Sequence, residues 1–199
     1  MFNGFLEDLV NNLKKLPGIG SKTAQRLAIH LISKEKADAI NLAESIKDAV
    51  QSYKHCSICN MLSETDPCLF CEDSTRMENV ICVVENTQDA YLIENLHEFR
   101  GRYFVLNELL SPLDGIGPEE INFPKLERII NSGEINEIIL ALNPSAEGES
   151  TINFLASQFE VKNIKITRLS TGLPFGGDIE YTSSLTLSNA FKRRYSVTE

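Results

Sequence analysis

Hydrophobic residues recur at helical spacing through the first fifty residues, and they form short unbroken runs after residue 78. The first pattern predicts helices over 5–13, 21–32 and 37–50, with "KLPGIG" breaking the chain between the first two. The later runs predict strands at 79–85, 101–107, 137–143 and 164–170, alternating with helices at 87–96, 123–133 and 150–159. This alternation predicts a parallel sheet with helices on both faces and any site at the carboxyl ends of its strands.

The composition is that of a globular protein. Of the 199 residues, 42% are hydrophobic and 24% are charged. No apolar run reaches the roughly 18 residues that a membrane span needs, and no basic segment followed by an apolar stretch opens the chain. We therefore expect a soluble, cytoplasmic protein without a membrane partner.

Charge is distributed unevenly along the chain, whose formal net charge is −9. The first 55 residues carry eight Lys or Arg against six acids, a net +2, which leaves −11 for the other 144 residues. A strongly negative protein repels nucleic acid overall. Because salt screens exposed charges beyond about 8 Å, a local basic face can still bind DNA.

The segment "LPGIGSKTAQR", residues 16–26, combines two glycines with two bases at a helix start. Helical spacing directs Lys22 and Arg26 away from the apolar stripe of the same helix. We expect Gly18 and Gly20 to adopt backbone angles closed to other residues and to present N–H groups to an anion at the helix N-terminus. The plainer interpretation is an ordinary turn with solvated bases. The longer pattern "LPGIGSKTAQRLA" resembles the helix-hairpin-helix module, which implies non-sequence-specific DNA contacts by all four residues.

Four cysteines have the spacing C-x2-C-x8-C-x2-C: Cys56, Cys59, Cys68 and Cys71. Two such knuckles supply four thiolates to a tetrahedral zinc, and the full shell leaves no position for an activated water. The spacing thus predicts one structural zinc per chain. Disulfides or a redox pair are the alternative, but disulfides are rare in cytosolic proteins.

Polar residues end two of the predicted strands, Glu85 in "VVENTQD" and Asn143 in "LNPSAEGE". This arrangement resembles the Toprim domain of topoisomerases, primases and some nucleases, in which a strand-end Glu and a later Asp-x-Asp hold magnesium. Asn143 and Ser145 occupy the Asp positions here, and neither supplies a carboxylate. Glu147 and Glu149 follow, either as weak magnesium ligands or as two solvated acids. The resemblance therefore indicates a degenerate Toprim domain, with magnesium binding weak or absent and no catalytic residues.

The order of hairpin, four-cysteine segment and degenerate Toprim, with "LLSPLDGIGPEE" and "GLPFGGDIEYT", resembles the bacterial recombination mediator family RecR over nearly the whole chain. The resemblance implies a non-enzymatic repair and recombination protein that binds single- and double-stranded DNA. It also implies a homo-oligomeric ring, a dimer exchanging with a tetramer, that acts with RecO and RecF to load RecA at single-strand gaps. Glu85 and the 143–149 loop would face partner proteins. The chain departs from the family at 104–108, which reads "FVLNE" where a His-Val-Leu-Gly-Gly sequence is common.

The fold class that follows is multi-module α/β with a C-terminal helical tail. We expect a helix-hairpin-helix domain at 1–54, a four-cysteine zinc finger at 55–78, a Toprim domain at 79–174 and a subunit-contact segment at 175–199. Two other functions stay open on the sequence. One is a Toprim-type metal-dependent nuclease or primase-like enzyme, and the other is a zinc-stabilised DNA-binding module that needs no partners.

Overall fold

The computed structural model describes residues 3–33, 36–160 and 164–196. Lys34 and Glu35, both counted in the charge of the first 55 residues, lie outside that part. The chain forms two compact units, Met1–Tyr53 and Lys54–Glu199. Within the described residues, no helix combines the length and apolar character needed to cross a bilayer.

The first unit consists of three helices, α1 (Phe5–Leu13), α2 (Ser21–Ser33) and α3 (Lys36–Ser52), close to the predicted bounds. Its buried core is small and comprises Val10, Ala24 and Ala28, with Leu6, Leu9, Leu13 and Ile19 packed around it. The two alanines take little space, which allows α1 and α2 to pack closely. In contrast, α3 has no buried residue.

The second unit begins with the cysteine segment, in which β1 (Lys54–His55) pairs antiparallel with β2 (Leu62–Ser63) ahead of the short helix α4 (Leu69–Glu72). A four-stranded sheet follows. Its members are β3 (Met77–Val84), β4 (Gly101–Val105), β5 (Glu137–Ala141) and β6 (Lys165–Arg168). The spatial order is β4-β3-β5-β6 and every pairing is parallel, which confirms the predicted parallel sheet.

Alternate residues of the strands contribute to two different cores. Ile81 and Val83 belong to one core with α6 (Phe123–Ser132) and α7 (Ala146–Phe159), whereas Cys82 and Val84 face α5 (Thr87–Glu94) and the cysteine segment. Successive strand residues point to opposite faces, so the sheet is covered on both sides. The tail contains α8 (Ser184–Lys192).

The start of α7 was predicted wrongly. The helix begins at Ala146 rather than at residue 150, and the Ser145 hydroxyl caps it by accepting a hydrogen bond from the Gly148 N–H at 3.0 Å. In sequence, Gly148 indicates a break, since glycine disfavours helix interiors. The structure requires glycine there because a Cβ would lie 1.9 Å from the Asn143 carbonyl oxygen.

Candidate functional site

The turn between α1 and α2 is closed by backbone hydrogen bonds, from the Leu16 N–H to Leu13 and from the Ile19 N–H to Leu16. Gly18 lies at φ 76°, in the left-handed region that favours glycine, as expected. The same expectation was wrong for Gly20, whose φ is not in that region. Gly20 directly precedes the helix, and its carbonyl accepts the Ala24 N–H at 2.9 Å. A Cβ there would meet no protein atom within 4 Å.

Lys22 and Arg26 lie on the exposed face of α2, whereas Ala24 and Ala28 are fully buried. The predicted division of this helix into an apolar and a basic face is therefore correct. As at any helix start, the amide groups of the first turn have no intrahelical carbonyl partner. The outer surface of the hairpin thus combines two cations with backbone donors at the positive end of the helix dipole.

The four predicted cysteines form one cluster in which all sulfur atoms lie within 4.8 Å of one another. The Cys59 and Cys68 sulfurs are 3.4 Å apart, and those of Cys56 and Cys71 are 3.9 Å apart. Tetrahedral zinc with bonds of about 2.3 Å would place its sulfur ligands about 3.8 Å apart, so the arrangement fits this ion. His55 is not part of the cluster, and its Nδ1 lies 3.1 Å from the Asn60 carbonyl oxygen.

Cysteine chemistry differs between the cluster and the sheet. Within the cluster the thiols share hydrogen bonds, so hydrogen bonding from Cys59 lowers the pKa of Cys68 and the same bond raises the pKa of Cys59. In contrast, burial raises the pKa of Cys82 in β3 to about 12, which keeps that thiol protonated. Cys82 thus packs as a small buried hydrophobic residue of β3.

Arg76, which follows the cysteines, joins the cluster to the sheet. Its guanidinium lies 4.7 Å from the centre of the Phe70 ring, pairs with Glu94 of α5 and donates to the Gly101 carbonyl oxygen at 3.0 Å. The Tyr103 hydroxyl donates to the other Glu94 oxygen at 3.1 Å. This buried network packs α4 against β4 and α5. The sequence contains no local pattern that distinguishes Arg76 from a surface arginine.

The Toprim motif lies where β3 and β5 end. The Asn143 side-chain amide donates to a Glu85 carboxylate oxygen at 2.9 Å, which joins the two strand ends. Glu147 is exposed. Glu149 accepts two hydrogen bonds from Arg168 of β6, at 2.8 and 2.6 Å. This bidentate pair lowers the pKa of Glu149, which is therefore an ion-paired carboxylate at the surface.

A cavity of about 740 Å³ opens beside this motif, at the carboxyl ends of β5 and β6. Asn143, the Glu149–Arg168 pair and Arg193 of the tail contribute to its wall. Arg193 also donates to the Thr171 hydroxyl at 3.2 Å. The C-terminal tail therefore contacts the loop after β6, next to the Toprim motif.

Three residues of these sites were missed in the sequence: Arg76, Gly148 and Arg168. Arg168 lies 19 positions after its partner Glu149 and reaches it only because β6 pairs with β5.

Comparison with known proteins matches three domain families along the chain. The RecR helix-hairpin-helix matches residues 6–50, the RecR four-cysteine zinc finger domain matches residues 53–73 and the Toprim domain matches residues 79–170. Similar curated proteins include the Recombination protein RecR of Staphylococcus aureus strains MRSA252, JH9 and N315. Each is 44% identical over 189 residues, which cover 95% of this chain and 96% of the relative. The chain belongs to the RecR family of recombination proteins.

Proposed function

We propose that this protein is a non-enzymatic mediator of DNA repair and recombination in the cytoplasm, acting with RecO and RecF to load RecA at single-strand gaps. The observation that carries the non-enzymatic part is the Asn143–Glu85 hydrogen bond of 2.9 Å. It lies where Toprim enzymes hold magnesium between carboxylates. The Asn143 amide N–H donates to the carboxylate at the end of β3, and this neutral side chain supplies no negative charge where a Toprim enzyme has an aspartate.

The neighbouring polar groups support the same proposal. Ser145 caps α7, and Glu149 is held by Arg168. Glu147 is the remaining carboxylate of this motif, and among the described residues its side chain forms neither a helix cap nor an ion pair. Magnesium needs near-octahedral oxygen ligation and in phosphoryl chemistry is bound through carboxylates and substrate phosphates. We expect magnesium binding to be weak or absent.

The DNA contact in this proposal is the hairpin, with Lys22 and Arg26 at phosphates and Gly18 and Gly20 allowing close backbone approach. These groups recognise the phosphate backbone, which both single- and double-stranded DNA present, and they read no base edges. A non-specific contact has a dissociation constant of roughly 10⁻⁴ to 10⁻⁶ M at physiological salt. Several hairpins that engage one DNA together can raise the avidity by about 10² to 10⁴.

A homo-oligomeric ring, a dimer exchanging with a tetramer, would provide that multivalency. The exposed apolar side chains of α3 support self-association: Ile40 and Ile46 are 57% exposed and Val50 is 75% exposed. Apolar surface of this kind is typical of protein interfaces. Residues 175–199 are the second proposed subunit contact, with Phe175 and Tyr181 strongly exposed within the described part. Glu85 and the 143–149 loop would face RecO or RecF.

The proposal is tested by RecA filament formation on gapped DNA coated with single-stranded-DNA-binding protein. With RecO and RecF present, we expect the wild type to accelerate filament formation and the Lys22→Ala, Arg26→Ala double variant to lose most of that acceleration. No acceleration by the wild type would contradict the mediator role. Magnesium-dependent nicking of plasmid DNA that disappears in Glu85→Gln would instead support a Toprim nuclease.

A further inference from the structure

The first zinc knuckle, residues 56–60, is held by residues from outside the cysteine segment. The Val105 N–H of β4 donates to the Cys59 carbonyl at 2.9 Å, and the Asn60 side-chain amide donates back to the Val105 carbonyl at 3.0 Å. Further along the chain, Lys125 of α6 donates from Nζ to the Cys56 carbonyl oxygen at 2.8 Å. The Toprim sheet and one of its helices therefore fix both cysteines of this knuckle.

Lys125 is an unusual partner for a carbonyl. It lies in the first turn of α6 and is half-buried, and none of the ion pairs within the described ranges involves it. A half-buried ammonium is stabilised by negative charge in its surroundings.

The zinc site would supply that charge. Four thiolates around one Zn²⁺ carry a net charge of −2, and a cation beside a ligand's own carbonyl reduces the repulsion within the site. Residues that orient or neutralise metal ligands without touching the metal commonly change metal affinity by about 10- to 100-fold. Lys125 can both orient and neutralise the ligands, because it donates a hydrogen bond to the Cys56 backbone and carries a positive charge.

We propose that Lys125 is a positioning residue of the zinc site, which fixes the Cys56 knuckle and offsets the charge of the four thiolates. Zinc retention is then coupled to the fold of the Toprim module, because α6 belongs to that module. This inference rests on zinc binding by the four-cysteine cluster and extends that site to a residue 54 positions beyond its last cysteine.

The test compares zinc release from three full-length variants to a chromogenic chelator. In Lys125→Met the length is retained and the charge is lost, and we expect zinc affinity to fall by about 10- to 100-fold. Lys125→Arg retains the charge and should remain close to the wild type. Arg128→Met, one turn further along α6 at an exposed position, removes a cation that does not contact the knuckle and should leave release unchanged.

A second measurement separates positioning from general stability. In the cadmium-loaded protein, Lys125→Met should shift the cadmium NMR signal, whereas Arg128→Met should not. If Lys125→Met does not fold, the same measurement is made on Lys125→Gln. Zinc retention equal to that of the wild type in Lys125→Gln would contradict the role of the charge. Equal release from Lys125→Met and Arg128→Met would overturn the proposal while leaving the zinc site intact. A folded, reduced wild type without zinc would overturn the zinc assignment as well.

Discussion

At the residue scale, two glycines at the starts of helices, Gly148 in α7 and Gly20 before α2, have different physical roles. Gly148 is enclosed by the Asn143 backbone, whereas Gly20 faces open space. Substitution at Gly148 therefore affects the fold of the second unit. A side chain at Gly20 would meet only a molecule, such as DNA, that binds the outer surface of the hairpin.

We predict that Gly148→Ala lowers the free energy of unfolding by about 1–3 kcal/mol or more, because its Cβ would lie 1.9 Å from the Asn143 carbonyl oxygen. Urea denaturation followed by circular dichroism measures the change. Gly117→Ala is the matched control, since its Cβ would meet only the end of the Glu120 side chain, at 3.2 Å. Equal stability of the two variants would show that the α7 start tolerates a side chain.

The hairpin glycines give a paired prediction for DNA binding. Gly18→Ala forces a side chain into positive φ and should destabilise the turn by roughly 1–2 kcal/mol. Gly20→Ala should destabilise the first unit less than Gly18→Ala does, by only its weaker helix cap, and should weaken DNA binding because only DNA would meet the added methyl group. Thermal unfolding and fluorescence anisotropy with labelled DNA measure the two effects. Unchanged affinity in Gly20→Ala would remove Gly20 from the interface.

At the element scale, α2 separates its packing face from its basic face, so the charge can be changed without loss of the core. Its buried positions are Ala24 and Ala28, while Lys22 and Arg26 are exposed. A change in DNA affinity on substitution of Lys22 or Arg26 can therefore be assigned to the lost charge.

We predict that the Lys22→Ala, Arg26→Ala double variant weakens binding about equally on all DNA sequences. The slope of log affinity against log salt should decrease by about 0.9 for each duplex phosphate that the variant no longer neutralises. Titrations at several salt concentrations measure the slope, and the Lys36→Ala, Lys47→Ala double variant on α3 controls for net charge. An unchanged slope would direct attention to Lys192, Arg193 and Arg194, although Arg193 is already engaged with Thr171.

The helices and strands were largely predictable because periodicity reflects burial, and the bounds of α1 and the four cysteines follow directly from spacing. Contacts across the fold were not predictable. Arg168 meets Glu149, and Lys125 meets Cys56, only after the sheet has set its strand order. The start of α7 was missed because Gly148 has its effect through a backbone approach that local propensity does not describe.

At the scale of the whole molecule, the zinc cluster and the sheet share one hydrophobic core. Cys56, Cys59 and Cys68 pack with Val84 and Tyr103. A metal bound at this cluster would therefore contribute to the stability of the second unit rather than to that of a separate finger.

We predict one zinc per chain and a strong loss of stability in Cys56→Ser and Cys68→Ser, since structural zinc contributes on the order of 10 kcal/mol. Elemental analysis gives the stoichiometry, and thermal unfolding gives the stability. Absence of zinc from reduced, folded protein would contradict the assignment.

Assembly provides a further prediction at this scale. Ile46→Asp places a charge on the apolar face of α3 and should shift the oligomer toward the monomer in light scattering across a concentration series. Ser45→Asp adds the same charge at the neighbouring exposed position and should have a smaller effect. A wild type that stays monomeric at high concentration, with and without DNA, would contradict the ring.

The contacts of the zinc knuckle with Val105 also determine how the sheet ends. In β4, alternate residues direct their backbone groups away from β3. Two of these residues have partners: Gly101 accepts a hydrogen bond from Arg76, and Val105 is hydrogen-bonded to the knuckle. An incoming strand would find these hydrogen-bonding groups occupied. Exposed strand edges promote aggregation, and proteins commonly cover them. Loss of zinc would release the knuckle and uncover this edge, so the metal-free chain should aggregate through β4 before its helices unfold.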